Sequence, residues 1–222
     1  MAQATRSTRS HHDPNEDTLD AVVNWIETNA KPITYVVVAA VVVGASVLLY
    51  RSTEQRKRER ASAALYEAQA PFVQGNMEEA QSALSKVAER YSGTSSGQQA
   101  IMLLAQAYYE QGKYAEGVKA LEAAVGKSSA EFRANMESLI ASGYEAQDDF
   151  ANAAAHYEKA RQATPFPAAK IDYRASQGRS LMAAGKYSEA LAIWSELAQL
   201  DGNAVQSEAQ IRLGEAEAAL QK

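Results

Sequence analysis

Small and large apolar residues alternate at helical spacing in pairs of short segments, and polar turns separate the segments. In the clearest pair, the pattern predicts a first helix over residues 97–111 and a second helix over residues 114–125. The turns return at intervals of 37, 36 and 37 residues, at Gly75, Gly112, Asp148 and Gly185. A period of this length indicates helix pairs that stack on one another rather than one closed core.

Residues at positions that face a neighbouring helix recur with the same period. Small residues recur where two helices must touch, and large residues recur beside them. The small residues are Ala105, Gly117, Ala124, Ala141, Ala153, Ala160, Gly178 and Ala190, and the large ones are Tyr108, Tyr114, Leu121, Tyr144, Phe150, Tyr157, Leu181, Tyr187 and Trp194. This pattern resembles the tetratricopeptide repeat over residues 104–124, 143–165 and 178–197, and in degenerate form over residues 61–87. Residues 205–221 restart a first helix and are interpreted as a C-terminal capping helix.

An uncharged segment precedes the repeats. Residues 32–50 carry no charge and lie between Lys31 and Arg51, so they are long enough to cross a bilayer as a helix. Backbone groups in lipid must bond within the segment, which requires a helix in spite of the many valines. The alternatives are a buried core helix and a cleaved signal peptide. An acidic lead-in and the charged residues 56–60 that follow argue against the signal peptide.

The sequence therefore predicts an all-α protein, with a single N-terminal transmembrane helix followed by an α-solenoid of about four degenerate tetratricopeptide-like helix pairs and a capping helix. The predicted parts are a disordered tail (1–17), a short amphipathic helix (18–30), the transmembrane helix (31–51), a charged helical connector (52–60) and the repeat domain (61–222). Thr18 is the predicted N-cap of the amphipathic helix. Its apolar stripe predicts contact with the membrane surface or, alternatively, with a partner; the stripe is Leu19, Val22, Val23 and Ile26.

Charge and composition argue against several functions. Residues 61–222 carry a net charge of −6, which is unfavourable for binding nucleic acid. The chain has no cysteine, so disulfides, thiolate catalysis and cysteine zinc sites are excluded. The pair His11 and His12 lies in the predicted tail, and His156 has no catalytic partner at a recognisable spacing. We therefore expect no enzyme activity, no catalytic residues, no metal or other cofactor and no small-molecule substrate.

The candidate binding site is the groove formed by the first helices of the stacked pairs. One residue column across the four pairs is predicted to line it: Phe72, Tyr109, Glu145 and Met182. Four further residues complete the predicted partner-binding groove: Leu65, Met102, Gln106 and Arg179. Aromatic and methionine side chains in a groove suit the binding of a peptide or a helix. The alternative is that these side chains pack against neighbouring repeats.

The whole layout is similar to the ancillary SecYEG translocon subunit family of bacterial inner-membrane proteins. The features that carry the resemblance are an acidic amphipathic helix, one span, a charged helix and about four degenerate repeats. Residues 89–94, Glu-Arg-Tyr-Ser-Gly-Thr, precede the clearest repeat. The resemblance implies an inner-membrane location with the repeats in the periplasm. It also implies protein partners, namely translocon subunits, periplasmic chaperones or secreted chains.

The charges near the span leave the orientation open. Lys31 lies on the N-terminal side, whereas five basic residues follow the span: Arg51, Arg56, Lys57, Arg58 and Arg60. The positive-inside rule favours a cytoplasmic location for the C-terminal side, in conflict with the orientation that the family resemblance implies. We favour periplasmic repeats and keep two alternative functions: a structural adapter for an envelope or cell-division complex, and a scaffold that faces the cytoplasm. Homo-oligomer formation is also open.

Overall fold

A computed structural model describes residues 14–200, 202 and 204–221. In these residues the chain forms ten α-helices and no strand. The helices are α1 Pro14–Thr28, α2 Ala30–Val73, α3 Met77–Arg90, α4 Ser95–Tyr109, α5 Tyr114–Val125, α6 Ala130–Glu145, α7 Phe150–Ala163, α8 Pro167–Ala183, α9 Tyr187–Ala198 and α10 Gln206–Leu220. The all-α prediction is confirmed. The predicted tail with His11 and His12 lies almost entirely outside the described residues.

The chain divides into two compact units, Met1–Gln55 and Arg56–Lys222. In the first unit, α1 begins at Pro14, so Thr18 lies within the helix rather than at the N-cap predicted for it. Helix α2 contains an apolar 18-residue window with a mean hydropathy of 2.4, and none of that window is buried. By length and composition it is the one helix among the described residues that is able to cross a membrane, and a signal sequence would meet the same criterion.

The second unit contains the repeats. The end of α2 pairs in sequence with α3, followed by the pairs α4–α5, α6–α7 and α8–α9, and α10 is the solitary last helix. Consecutive helices pack against each other from α3 to α7 and on through α8 to α10, and α4 also contacts α6. This nearest-neighbour packing is typical of a solenoid, in which each repeat is stabilised mainly by the next one.

The turns inside the pairs share one backbone geometry. Gly75, Gly112 and Gly185 have φ angles of 79°, 70° and 71°, and Asp148 has a φ of 58°. In the second pair, the Gly112 N–H donates to the Tyr109 carbonyl and the Lys113 N–H donates to the Tyr108 carbonyl, both at 2.9 Å. The other three turns have the corresponding two bonds. This is the Schellman C-cap, which requires a left-handed residue, and it explains why the period is clearest at these four positions.

The core consists of separate clusters along the solenoid. The first cluster includes Leu84 and Leu104, from α3 and α4. The second includes Leu121 and Met136, from α5 and α6. A further cluster surrounds Trp194, which is fully buried between α8, α9 and α10. Each cluster joins helices that are neighbours in the chain, so the small residues of the repeat pattern lie at close helix contacts.

Candidate functional site

The predicted column of four groove residues lies in register. Phe72, Tyr109, Glu145 and Met182 each precede the turn residue by three positions. Their backbone carbonyls accept the N–H of Gly75, Gly112, Asp148 and Gly185, respectively. The periodicity therefore places these residues at the same point of four first helices, as the sequence predicts.

The side chain of Tyr109 packs between helices. Its hydroxyl donates a hydrogen bond of 3.0 Å to the Leu139 carbonyl of α6. Its ring lies against two glycines, Gly117 of α5 and Gly143 of α6, where a Cβ atom would collide with it. Burial is the main cause that raises the pKa of the Tyr109 phenol above its usual value, and the nearby Glu122 carboxylate adds to it. Tyr109 thus joins α4, α5 and α6.

The two charged groove residues also hold helices together. Glu145 of α6 accepts hydrogen bonds from the Tyr157 hydroxyl of α7 at 3.0 Å and from the Ser180 hydroxyl of α8 at 2.7 Å. Arg179 of α8 lies 3.4 Å from Glu208 of α10. The pKa of Tyr157 is raised chiefly by burial. The Glu145 carboxylate and one nitrogen of Arg179 are thus engaged within the repeat domain, although the sequence prediction assigned both side chains to a partner.

The remaining predicted residues differ in exposure. Leu65 is only 6% exposed and belongs to the first core cluster, so it cannot line an open groove. Phe72, Met102 and Met182 are half-buried and pack against core clusters, and Gln106 is half-buried. The predicted groove is thus partly filled by its own side chains, and binding of a partner there stays a prediction.

A cavity of about 600 Å³ lies elsewhere, between the second helices α3 and α5. Its floor is the strip of α4 that carries Ile101, Leu104 and Tyr108, and alanines of α3 and α5 form much of its walls. We call it the α3–α5 groove. Sequence reasoning missed it, although the cluster of alanines at 120, 123 and 124 indicates a helix face with little side-chain volume.

A buried polar cluster fills the corresponding space one repeat later. His156 of α7 is 9% exposed, and its Nδ1 lies 2.7 Å from the Glu137 Oε2 of α6. Its Nε2 lies 4.0 Å from Glu122 of α5, and Tyr144 of α6 donates a 2.8 Å hydrogen bond to the same carboxylate. The spacing along the sequence indicates no partner for His156, whereas the structure brings Glu137 of another helix into contact with it. Among the described residues, no group of three or more His, Asp or Glu side chains has the arrangement of a metal site.

The chain belongs to the family of tetratricopeptide repeat-like domains, because the family model matches residues 24–218. The fold is similar to crystal structures of nearly identical TPR-like repeats of a kinesin-light-chain-like protein from Podosopora anserina. The identity is 21%, the TM-score is 0.57, and the match covers 74% of this chain and 88% of that chain. BtubC (BKLC) from P. vanneervenii is similar at 18% identity and a TM-score of 0.53, covering 75% of this chain and 84% of that one. No curated protein matches the chain.

The comparisons define the class of the protein, a tetratricopeptide repeat-like solenoid. Repeats of this family generally serve as scaffolds for protein–protein interaction. The two solved structures are too distant in sequence to indicate more than the fold. The function therefore has to be argued from the surfaces of this chain.

Proposed function

We propose that the chain is a membrane-anchored platform for protein–protein interaction that acts as an accessory factor at the bacterial secretory translocon. In this proposal, the repeat domain links secreted chains and periplasmic chaperones to translocon subunits. The observation that carries the proposal is the combination, in one chain, of an interaction solenoid with an apolar helix whose side chains are uncovered.

The anchor is argued from helix α2. Its valine and leucine side chains between residues 36 and 49 are exposed, for example Val36 at 68% and Leu49 at 67%. An apolar helix of this length without cover in water would be very unfavourable, whereas a bilayer core covers it on all sides. Tyr35 and Tyr50, near the two ends of the apolar segment, fit the aromatic belts at the membrane interfaces.

The translocon assignment rests on the resemblance of the layout and on the absence of catalytic features among the described residues. An acidic solenoid acts through shape and apolar contacts rather than through chemistry. The orientation follows the resemblance, with periplasmic repeats. A cytoplasm-facing scaffold is the second candidate, because Arg51 and the basic residues 56–60 follow the apolar segment directly.

In-cell photo-crosslinking tests the assignment. A photoreactive amino acid replaces Val73, which is 82% exposed at the end of α2, and, in a second variant, the exposed Glu217 of α10. We expect cross-links to translocon subunits and to secreted chains, identified by mass spectrometry after detergent extraction.

A matched control replaces the exposed Tyr50, which would lie in the membrane and should cross-link to lipid or to membrane-embedded subunits only. Cross-links from both repeat positions to one fixed envelope complex, without translocon subunits, would instead support the structural adapter. Cross-links to cytoplasmic proteins would support the cytoplasmic scaffold.

A further inference from the structure

The α3–α5 groove is open because one repeat lacks a bridge that the later repeats have. The residue eleven positions before the turn is Ile101 in the second pair, Glu137 in the third and Arg174 in the fourth. Glu137 binds His156 of α7, and Arg174 lies 2.6 Å from Glu196 of α9 and 3.7 Å from Glu158 of α7. These charged side chains tie the first helix to the second helices beside it. Ile101 is apolar and makes no such bridge.

A second difference between corresponding positions of the repeats enlarges the groove. Tyr144 of α6 reaches back to Glu122 of α5, ten positions after the turn of the preceding pair. Tyr108 occupies the place of Tyr144 one pair earlier, and the residue that corresponds to Glu122 is the shorter Ser85. The Ser85 hydroxyl instead donates to Glu89 at 3.1 Å. Tyr108 is therefore left half-buried on an apolar floor.

The rim of the groove carries charge in an asymmetric arrangement. Two exposed lysines lie on the α5 side of the groove, Lys119 and Lys127, and neither forms an ion pair with any residue that the structure describes. Lys119 lies on α5, whereas Lys127 lies in the turn that follows the end of α5 at Val125. The acidic rim residues are Glu89 on the α3 wall and Glu116 near the start of α5.

We propose that the α3–α5 groove binds an acidic amphipathic peptide segment of a protein partner. Two or three large apolar side chains of the peptide fill the cavity over Ile101, Leu104 and Tyr108. Carboxylates on one side of the peptide pair with Lys119 and Lys127. A volume of about 600 Å³ suits a few side chains rather than a whole helix, so the peptide lies over the groove and inserts one face.

This inference rests on the interaction role proposed above but not on the translocon assignment. It differs from the predicted groove of Tyr109 and Met182, because the second helices α3 and α5 form its walls. The peptide measurement below reports on the α3–α5 groove alone, whereas the cross-links report on the partner, so the two can fail separately.

The test is a fluorescence anisotropy titration of the full chain in detergent with two labelled peptides. Both peptides carry Leu or Phe at positions i, i+3 and i+7. One has two Glu residues beside that face, and the other has Lys in their place. We expect binding of the acidic peptide only. Reversing both rim charges, Lys119→Glu with Lys127→Glu, should weaken that binding at least tenfold at low salt and allow the basic peptide to bind.

Two steric variants separate the cavity from the rim. Ala123→Phe, on an exposed lining residue, should fill the cavity and abolish binding of the acidic peptide. Ala115→Phe on the same helix does not line the cavity and should leave binding unchanged, as should Lys86→Glu on α3. Equal helical content and melting temperature of all variants exclude loss of the fold as the cause.

Three results would overturn the inference. The first is equal binding of the acidic and basic peptides, and the second is binding that is insensitive to the charge reversal and to Ala123→Phe. The third is absence of acidic-peptide binding. In that case, binding of a dansylated long-chain carboxylate that Ala123→Phe prevents would assign the groove to a lipid-like ligand.

Discussion

At the scale of the residue, the four turns depend on a left-handed backbone conformation. Glycine adopts it without penalty, but Asp148 adopts it with a side chain. The neighbouring Asp149 accepts the Asn152 N–H at 3.2 Å and caps α7, so the two aspartates of this turn have different roles. The third turn is therefore the one whose backbone is strained.

Asp148→Gly should raise the free energy of unfolding by about 0.5–1 kcal/mol, because it removes this strain without removing a cap. Chemical denaturation of the detergent-solubilised chain measures the change. The reciprocal variant, Gly112→Asp, should lower the same quantity by about 1 kcal/mol. If Asp148→Gly lowers stability, the aspartate side chain makes a contribution that the backbone argument omits.

A second prediction concerns two glycines 36 residues apart, Gly178 of α8 and Gly214 of α10. A Cβ atom at Gly178 would lie 2.8 Å from the buried ring of Trp194, whereas a Cβ atom at Gly214 would meet nothing within 4 Å. Gly178→Ala should therefore destabilise the fold by about 1–3 kcal/mol through overpacking. Gly214→Ala should stabilise it by up to about 1 kcal/mol through helix propensity. The melting temperatures of the two variants test this prediction. Equal shifts in melting temperature for both variants would contradict the packing of α8 on α9.

At the scale of the element, single side chains connect three helices at a time. Tyr109 joins α4 to α5 and α6, and Glu145 joins α6 to α7 and α8. These bridges lie near the C-terminal ends of the first helices, next to the turns. The stacking of the repeats is thus fixed by polar contacts as well as by the apolar clusters.

Tyr109→Phe should lower the free energy of unfolding at pH 7 by about 1 kcal/mol, because the hydrogen bond to Leu139 is lost. Burial raises the pKa of Tyr109 in the folded state, so its stabilising effect is complete below the unfolded pKa of about 10 and declines as the pH rises above it. The difference between wild type and Tyr109→Phe should therefore be smaller at pH 11 than at pH 7.

The matched control is Tyr66→Phe, since Tyr66 is 79% exposed and should give no difference at either pH. A difference between wild type and Tyr109→Phe that grows with pH would contradict the burial of Tyr109. Tyr109→Ala should cost several kcal/mol by leaving a cavity between three helices. A loss of partner binding on Tyr109→Ala is therefore no evidence of a groove unless the fold is shown to survive.

The sequence predicted the elements better than it predicted their surfaces. The turns and the capping helix could be found because a left-handed turn residue and a restarted helix leave a periodic signal. The direction in which a side chain points leaves a weaker periodic signal. Tyr109 was assigned to an open groove, although two glycines inside helices, Gly117 and Gly143, indicated where its ring packs. The contact between Glu137 and His156 could not be predicted from the sequence, because no local sequence pattern indicates which residues of two different helices come into contact.

At the scale of the whole molecule, the chain combines an uncovered apolar helix in its first unit with an interaction solenoid in its second. We propose that this helix is a membrane anchor and that the repeats face the periplasm. The basic residues that follow the apolar segment are the main argument for the opposite orientation. A measurement of topology decides between the two directly.

The chain has no cysteine, so single cysteines report their own location. Gly126→Cys is suitable for the repeat side, because Gly126 is exposed and a Cβ atom there meets nothing within 4 Å. Ser7→Cys serves the N-terminal side. A membrane-impermeant maleimide is added to cells with a permeabilised outer membrane, before and after lysis. We expect labelling of Gly126→Cys without lysis and of Ser7→Cys only after lysis. The reverse pattern would place the repeats in the cytoplasm. Labelling of both variants without lysis, or of both only after lysis, would contradict a single span.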